Sequence, residues 1–485
     1  MDRTYAEAIN ILESRRRSVR PETSHATNLL SESLPKLEAG SPRLKGVPSI
    51  DGMAEWLQQI GHSASELSKL NIIHVAGTKG KGSTCSFTES ILRAHGRRTG
   101  YPRKTGLYTS PHLIVPEERI RINSKPLNGT LFAKYFFELY DCLPQLQAPL
   151  DPSRPVLQRG PRYLQLFALL AFHVFLREQV DVAIVETHAG GEYDATNVIR
   201  KPVVTAITTL GLDHAAMLGS TLDSIAWHKA GIFKAGATAL TVTQDDMAAS
   251  ALRKRAAEKG VDLRVVERDD RLPQNATQLC PSVQRTNGSL AVAAAEAWLS
   301  RNAPSQGLTA DDVRKGVEQW TWPGRFQVVR HGLNTWFLDS AHNEMSVRIA
   351  AQWYAEAASA ASKQSSKTAR VLVFAHINEL RDSTALLASL AQALRDTEAS
   401  IRHAIFTTYP EVSGGEGCSG DETLALFEPV WRQYHPEGEV TFHSTVRQAL
   451  EAAKRQGDQY DEVHTLITGS QHLVGPALKM LQEEG

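Results

Sequence analysis

The chain has little cysteine, and no metal-binding or redox spacing links its four cysteines, Cys85, Cys142, Cys280 and Cys418. That argues against a disulfide scaffold and fits a reducing compartment. Net charge is also missing, because 53 Lys plus Arg balance 53 Asp plus Glu among 485 residues. Bulk electrostatics therefore gives no reason to expect nucleic acid or an anionic membrane surface as a partner. The longest strongly apolar run, Leu164 to Leu176, is broken by Gln165 and His173 and is too short to span a bilayer. No internal repeat is visible. The length suits two or three domains with a large core.

At the N-terminus Tyr5, Ile9 and Leu12 have helical spacing. Arg15 to Arg17 raise the question of a mitochondrial presequence, but Asp2, Glu7 and Glu13 are acids that such peptides avoid. A cytoplasmic location is expected, with a mitochondrial pool left open.

What the chain does have is the stretch IIHVAGTKGKGST, Ile72 to Thr84. Ile72, Ile73 and Val75 read as a buried parallel strand. Gly77, Gly80 and Gly82 allow a sharp turn and close approach to a ligand. From Ser83 onward, Phe87, Ile91 and Leu92 are spaced for one buried helix face. Strand, glycine turn and helix together present backbone N–H groups to a phosphate, and Lys81 adds a full charge. The strict phosphate-loop pattern G-x-x-x-x-G-K-[ST] is not met, since two residues separate Gly77 from Gly80 and Gly82 separates Lys81 from Ser83. A glycine-rich surface turn is the alternative. The dinucleotide fingerprint G-x-G-x-x-G is absent from the turn, so a nucleoside triphosphate is favoured.

Around it, helices are expected at Met53–Ile60, Leu131–Leu143, Tyr163–Arg177, Ala291–Leu299 and 309–320, and residues 21–50 read as a loop. GLYTSPHL reads as strand-like and Arg119 to Asn123 as a second strand. Further strands end at Glu186 and, in Val203 to Thr209, just before GLDH. The WPGR segment, 322 to 325, looks like a domain junction. Beyond it, strands at Thr335–Leu338, Arg370–Ala375, Ile401–Thr407, Glu439–His443 and His464–Thr468 alternate with helices, and 410–422 reads as a mobile loop. The fold class is thus α/β, with domains at 1–323 and 324–485.

Glu186 and His214 follow strand ends, where open α/β sheets bind ligands. A carboxylate and an imidazole beside a phosphate loop can hold a divalent ion, although a cap acceptor and a core histidine explain them equally well. Lys229 in IAWHKAGIFK reads as a solvated helix residue. Asp339 in FLDSAHN suits a ribose hydroxyl or a plain turn, and Arg325 a phosphate or a linker salt bridge.

In combination the motifs resemble folylpolyglutamate synthase, in the folate branch of the Mur-type ATP-dependent amide ligases, the eukaryotic and fungal form most of all. They run nearly end to end: GTKGKGST (77–84), GLYTSPHL (106–113), ERIRIN (118–123), AFHVF (171–175), GGEYDATN (190–197), LGLDH (210–214), LGSTLDSIAWHKAGIFK (218–234), WPGR, LDSAHN and TGSQHLVG (468–475). The resemblance implies an N-terminal P-loop-type ATPase domain with a mostly parallel sheet, a C-terminal Rossmann-like α/β domain, and an active site in the cleft between them. It implies that Gly80, Lys81, Gly82 and Ser83 hold the ATP phosphates, with Asn287 at the adenine, Arg325 at phosphate and Asp339 at the ribose. Ser110, Glu186 and His214 would bind Mg2+, His342 and Ser470 would seat glutamate, and Lys229 would be carbamylated. Lys81, His214 and Lys229 would be the catalytic groups. The implied partners are ATP, reduced folate and L-glutamate acting on a monomer, with K+ as a further candidate cofactor and with neither nucleic acid nor membrane insertion.

The chain departs from the family pattern at several places. Pro116 and Glu117 replace Val and Arg, His188 and Ala189 stand where many members have Gly and a branched aliphatic residue, Val283 replaces His and Ser340 replaces Gly. None is a residue assigned above. Two rivals remain: dihydrofolate synthase, which adds the first glutamate to dihydropteroate on the same fold, and a nucleotide-driven switch that binds a macromolecule. The second lacks a basic patch or an interaction tail.

Overall fold

A computed structural model describes residues 3–16, 48–362, 367–377, 382–397, 399–409 and 424–484. Arg17, most of the loop expected at 21–50, the loop expected at 410–422 and Cys418 lie outside them. The chain folds as two compact units, Met1–Thr321 and Trp322–Gly485.

The first unit is built on strands β1 (Ile73–Ala76), β2 (Thr105–Tyr108), β3 (Ile120–Ile122), β4 (Lys125–Pro126), β5 (Val182–Glu186), β6 (Val204–Ile207), β7 (Thr238–Val242) and β8 (Leu263–Val266). Their order is β4-β3-β2-β5-β1-β6-β7-β8, parallel except for the β2–β3 and β3–β4 pairs. β1 is wholly buried between β5 and β6, as its β-branched run demands. Even His74 fits, because its Nε2 lies 2.8 Å from Thr196 Oγ1. The order brings the carboxyl ends of β2, β5, β1 and β6 side by side, and the site is built there.

Helices cover this sheet. The helix Lys81–Thr99 buries Phe87, Ile91 and Leu92 as their spacing predicts. Phe87 stacks on Trp320 with ring centroids 3.9 Å apart, and Trp320 Nε1 donates to Ser86 Oγ. The helix Tyr163–Arg177 has the bounds its pattern predicts and packs with Tyr5–Ser14, Met53–Gln59 and Gly129–Cys142 in one apolar cluster. The helix Val283–Asn302 is longer than the Ala291–Leu299 expectation, because its first turns bury Gln284, Asn287 and Ser289 and so lack apolar periodicity. Strands β7 and β8 and the helix Asp246–Glu258 between them were not anticipated.

The second unit holds β9 (Gln327–His331), β10 (Asn334–Leu338), β11 (Thr368–Phe374), β12 (His403–Thr407), β13 (Glu439–His443) and β14 (Glu462–Thr468), in the order β13-β12-β11-β14-β10-β9. All pairs but β9–β10 are parallel. β9 is an edge strand whose residues are all half-buried or exposed, so no apolar run marks it. Among the described residues no helix is long and apolar enough to cross a membrane. Cys85, Cys142 and Cys280 are free thiols.

Candidate active site

After β1 the chain turns through Gly77 to Gly80 into the helix Lys81–Thr99. Two of the glycines have no substitute. A Cβ on Gly77 would lie 1.8 Å from Thr208 Oγ1, and one on Gly80 would lie 2.1 Å from Asn287 Oδ1. Both also have positive φ, 149° and 86°. The turn is clipped to the loop after β6 by Thr78 N and Lys79 N, which donate to Thr209 O, and by Thr78 Oγ1, which donates to Gly211 O. Gly80 stands at the helix N-cap, and among the described residues no side chain caps its first turn. The N-terminal N–H groups and the positive end of the helix dipole thus come without a side-chain cap beside Lys81, which is the arrangement that binds phosphate.

Glu186 is buried at the end of β5. Its Oε2 accepts from Ser110 N at 3.1 Å and its Oε1 lies 3.8 Å from Lys81 Nζ. The structure therefore brings Lys81, Ser110 and Glu186 together. Sequence reasoning gave no role to Arg119, read only as part of a strand. Its buried guanidinium donates to Ser110 Oγ at 2.7 Å and to His112 Nδ1 at 3.0 Å, and it lies 4.8 Å over the Phe167 ring. Glu118 organises the same loop by accepting from the N–H groups of Leu113, Ile114 and Val115. Glu117, which costs the loop a positive charge, has a partner of its own: Tyr5 OH donates to it at 2.6 Å, tying the first helix to the loop.

Lys229 corrects the reading as a solvated helix residue. It is 2% exposed, and its Nζ donates to Gly77 O at 2.7 Å, directly against the glycine turn. Burial, reinforced by the charge of Lys81, lowers its pKa to about 7. His214 corrects the core-histidine alternative. It is exposed, in the left-handed conformation, at the start of the single-turn helix Ala215–Leu218. Its neighbour Asp213 pairs with Lys79 at 3.3 Å, so this loop stays on the glycine turn. Asn287 packs on Gly80 and donates to Gln284 Oε1 at 2.8 Å. Among the described residues no group of three His, Cys, Asp or Glu side chains is gathered to hold a metal ion.

In the second unit, Asp339, the residue after β10, is buried and accepts from Phe326 N at 3.1 Å. Ser340 gives a use to its departure from glycine, since its N and Oγ both donate to Gly324 O. Together they hold the WPGR turn, and so Arg325, at the end of β10. Gly469 N donates to Ala341 O, which places Ser470 after β14 beside the His342 segment after β10.

No protein-family model matches the sequence. A folylpolyglutamate synthase of Neurospora crassa is 40% identical over 464 residues, covering 90% of this chain and 86% of that one. The chain belongs to the folylpolyglutamate synthase family. A mitochondrial folylpolyglutamate synthase of Bos taurus is 38% identical over 395 residues, covering 76% of this chain and 65% of that one. Among solved structures, a Mycobacterium tuberculosis folylpolyglutamate synthase complexed with ADP and AMPPCP is similar at TM-score 0.70 and 25% identity, covering 90% of this chain and 95% of that one. The two α/β units with mostly parallel sheets are the architecture of this family.

The Lys229 amine makes stability depend on pH. Between its folded value of about 7 and its ordinary 10.5, the unfolded chain carries a proton that the folded chain lacks. Its contribution is complete above 10.5, falls as pH drops through that window and is least below about 7. In bicarbonate-free buffer, wild type is expected to gain stability over Lys229→Met as pH rises from about 7 to about 9. Urea denaturation of both across that range checks it, and parallel pH profiles would contradict a buried neutral amine.

Proposed function

We propose that the chain is an ATP-dependent ligase that adds L-glutamate by γ-linkage to tetrahydrofolate and its polyglutamates. The observation that carries the site assignment is the uncapped glycine turn with Lys81 beside the Glu186–Ser110 pair. A carboxylate will not form an amide at neutral pH, because oxide is its leaving group. In the first step a folate γ-carboxylate oxygen attacks the γ-phosphorus of ATP, and ADP leaves with the electrons of the broken P–O bond. In the second the glutamate amine attacks the acyl carbon, the C–O bond to phosphate breaks, and the amine proton goes to solvent. Lys81 and the N–H groups of Gly82 and Ser83 stabilise charge on the transferring phosphoryl group.

Mg2+ fits the residues present, since Glu186 and Ser110 offer hard oxygen donors, and the bond from Ser110 N to Glu186 Oε2 keeps the two residues adjacent. His214, exposed on the loop that clips the turn, is assigned as a further ligand and catalytic group. When bound, the cation neutralises phosphate charge. K+ is a further candidate, checked by omitting it from the assay. Asn287 is assigned to adenine, Arg325 to phosphate, Asp339 to ribose, and His342 and Ser470 to the incoming glutamate. A cytoplasmic monomer with a mitochondrial pool is our working picture, the bovine relative being mitochondrial. Sedimentation and cell fractionation check it.

Lys229 is proposed to be carbamylated. Its neutral amine attacks CO2, an N–C bond forms and a proton is released, leaving an anion whose remaining N–H still suits Gly77 O. Carbon-13 bicarbonate should give a carbamate resonance in wild type and none in Lys229→Met; the same spectrum from both would refute the modification.

Lys81→Ala should fold normally and lose roughly 3 kcal/mol or more of transition-state stabilisation, about a hundredfold in turnover. Turnover within a few-fold of wild type would remove the phosphate-loop assignment.

Acceptor choice follows from the repeated geometry of a γ-linked chain, whose terminal carboxylate returns to the same spot after each addition. Tetrahydrofolate carrying one glutamate should gain a second and then more, with one ATP split per addition. Mass analysis of products from tetrahydrofolate and from dihydropteroate decides this. Product from dihydropteroate alone, stopping at one glutamate, would assign dihydrofolate synthase instead.

A further inference from the structure

The β2–β5 ladder ends at the pair Tyr108–Val185. Ser110 and Glu186 therefore lie just past the last paired residues, where main-chain pairing no longer sets the distance between the strands. Two side-chain ties replace it. One is the bond from Ser110 N to Glu186 Oε2. The other joins Tyr108 OH to His188 Nε2 at 2.6 Å, with both side chains buried and the rings edge to face.

The His188 ring is itself held from behind. Asp194 Oδ2 accepts from the N–H groups of His188 and Ala189, and its Oδ1 accepts from Thr196 N and Oγ1. Those bonds fix the 188–196 turn. They leave Asp194 Oδ2 3.6 Å from His188 Nδ1, which makes no hydrogen bond. A proton on Nδ1 is favoured there by the nearby carboxylate, so Nε2 carries the lone pair and the Tyr108 hydroxyl donates to it. Glycine at this position could not make the tie.

We propose that His188 is a positioning residue: through Tyr108 it sets the separation of the β2 and β5 ends, and so of Ser110 and Glu186, for the divalent cation that accompanies the nucleotide. The inference rests on the assignment of Ser110 and Glu186 to that cation. A small ion with strict octahedral demands is sensitive to such spacing, and groups that orient the ligands affect its affinity although they never touch it.

The test is Mn2+ binding to the ADP-bound full chain, read from the paramagnetic resonance of free Mn2+, with Mg2+ dependence of the rate as a second readout. Tyr108→Phe and His188→Gly should each weaken Mn2+ binding about tenfold. The Mg2+ needed for half-maximal rate should rise by the same factor, with kcat at saturating Mg2+ little changed. The double variant should be no weaker than either single one, because both remove one bond. His188→Gln, whose amide oxygen can accept from Tyr108 OH at the place of Nε2, should bind Mn2+ close to wild type. Normal Mn2+ affinity in both single variants, with Glu186→Gln weakened, would overturn the role of His188. Additive losses, or failure of the glutamine variant to restore affinity, would overturn it as well. Normal affinity in Glu186→Gln would remove the cation assignment itself.

Discussion

The first unit depends on one close approach, that of the Gly77 backbone to Thr208. β1 and β6 are neighbours, and Thr208 is the first residue beyond β6. Any side chain at Gly77 would occupy the space of the Thr208 hydroxyl. Because this space is shared, the turn packs directly against Thr208, and the helix that follows starts at Gly80, which has no side chain to cap it. Gly80 repeats the device against Asn287, a residue about two hundred positions away in sequence. The phosphate turn is thus shaped less by its own residues than by those pressed against it.

Much of this was legible in the sequence, and the exceptions have physical causes. β1, β5 and the helix Tyr163–Arg177 are dense in apolar residues because they are buried over most of their length, so pattern alone identifies them. β8 and β9 are half-exposed and show no such pattern. The glycine turn announced itself locally. Lys229 did not, since a lysine beside Ala-Gly reads as surface until a carbonyl 152 positions away is found against it. His214 left two readings open, a ligand at a strand end or a core histidine, and its exposure on the loop after β6 removes the second. Arg119 was quoted within a motif, but its grip on Ser110 and His112 depends on how the loop folds back.

The departures from the family pattern read differently once their contacts are known. Glu117 removes a cation from the loop and spends its own charge on Tyr5. Ser340 adds a bond to the turn carrying Arg325. His188 adds a buried bond between two strand ends. Each of these three residues adds a tie beside a residue proposed for the site.

The charge balance of the whole chain hides how uneven the site is. Lys79, Lys81 and Lys229 surround one glycine turn, against the carboxylates of Asp213 and Glu186. Three ammonium groups so close would repel one another, and the buried one gives way: Lys229, out of water and facing Lys81, loses its proton most readily. Lys79 stays paired with Asp213, and Lys81 faces Glu186 at a distance too long for a hydrogen bond. That loose pair is informative. A lysine held 3.8 Å from its carboxylate can reach an anion without breaking a tight contact, as the proposed phosphate role of Lys81 and cation role of Glu186 require. With its pKa lowered to about 7, the unmodified Lys229 amine keeps the positive excess around the turn smaller than three fully charged lysines would make it.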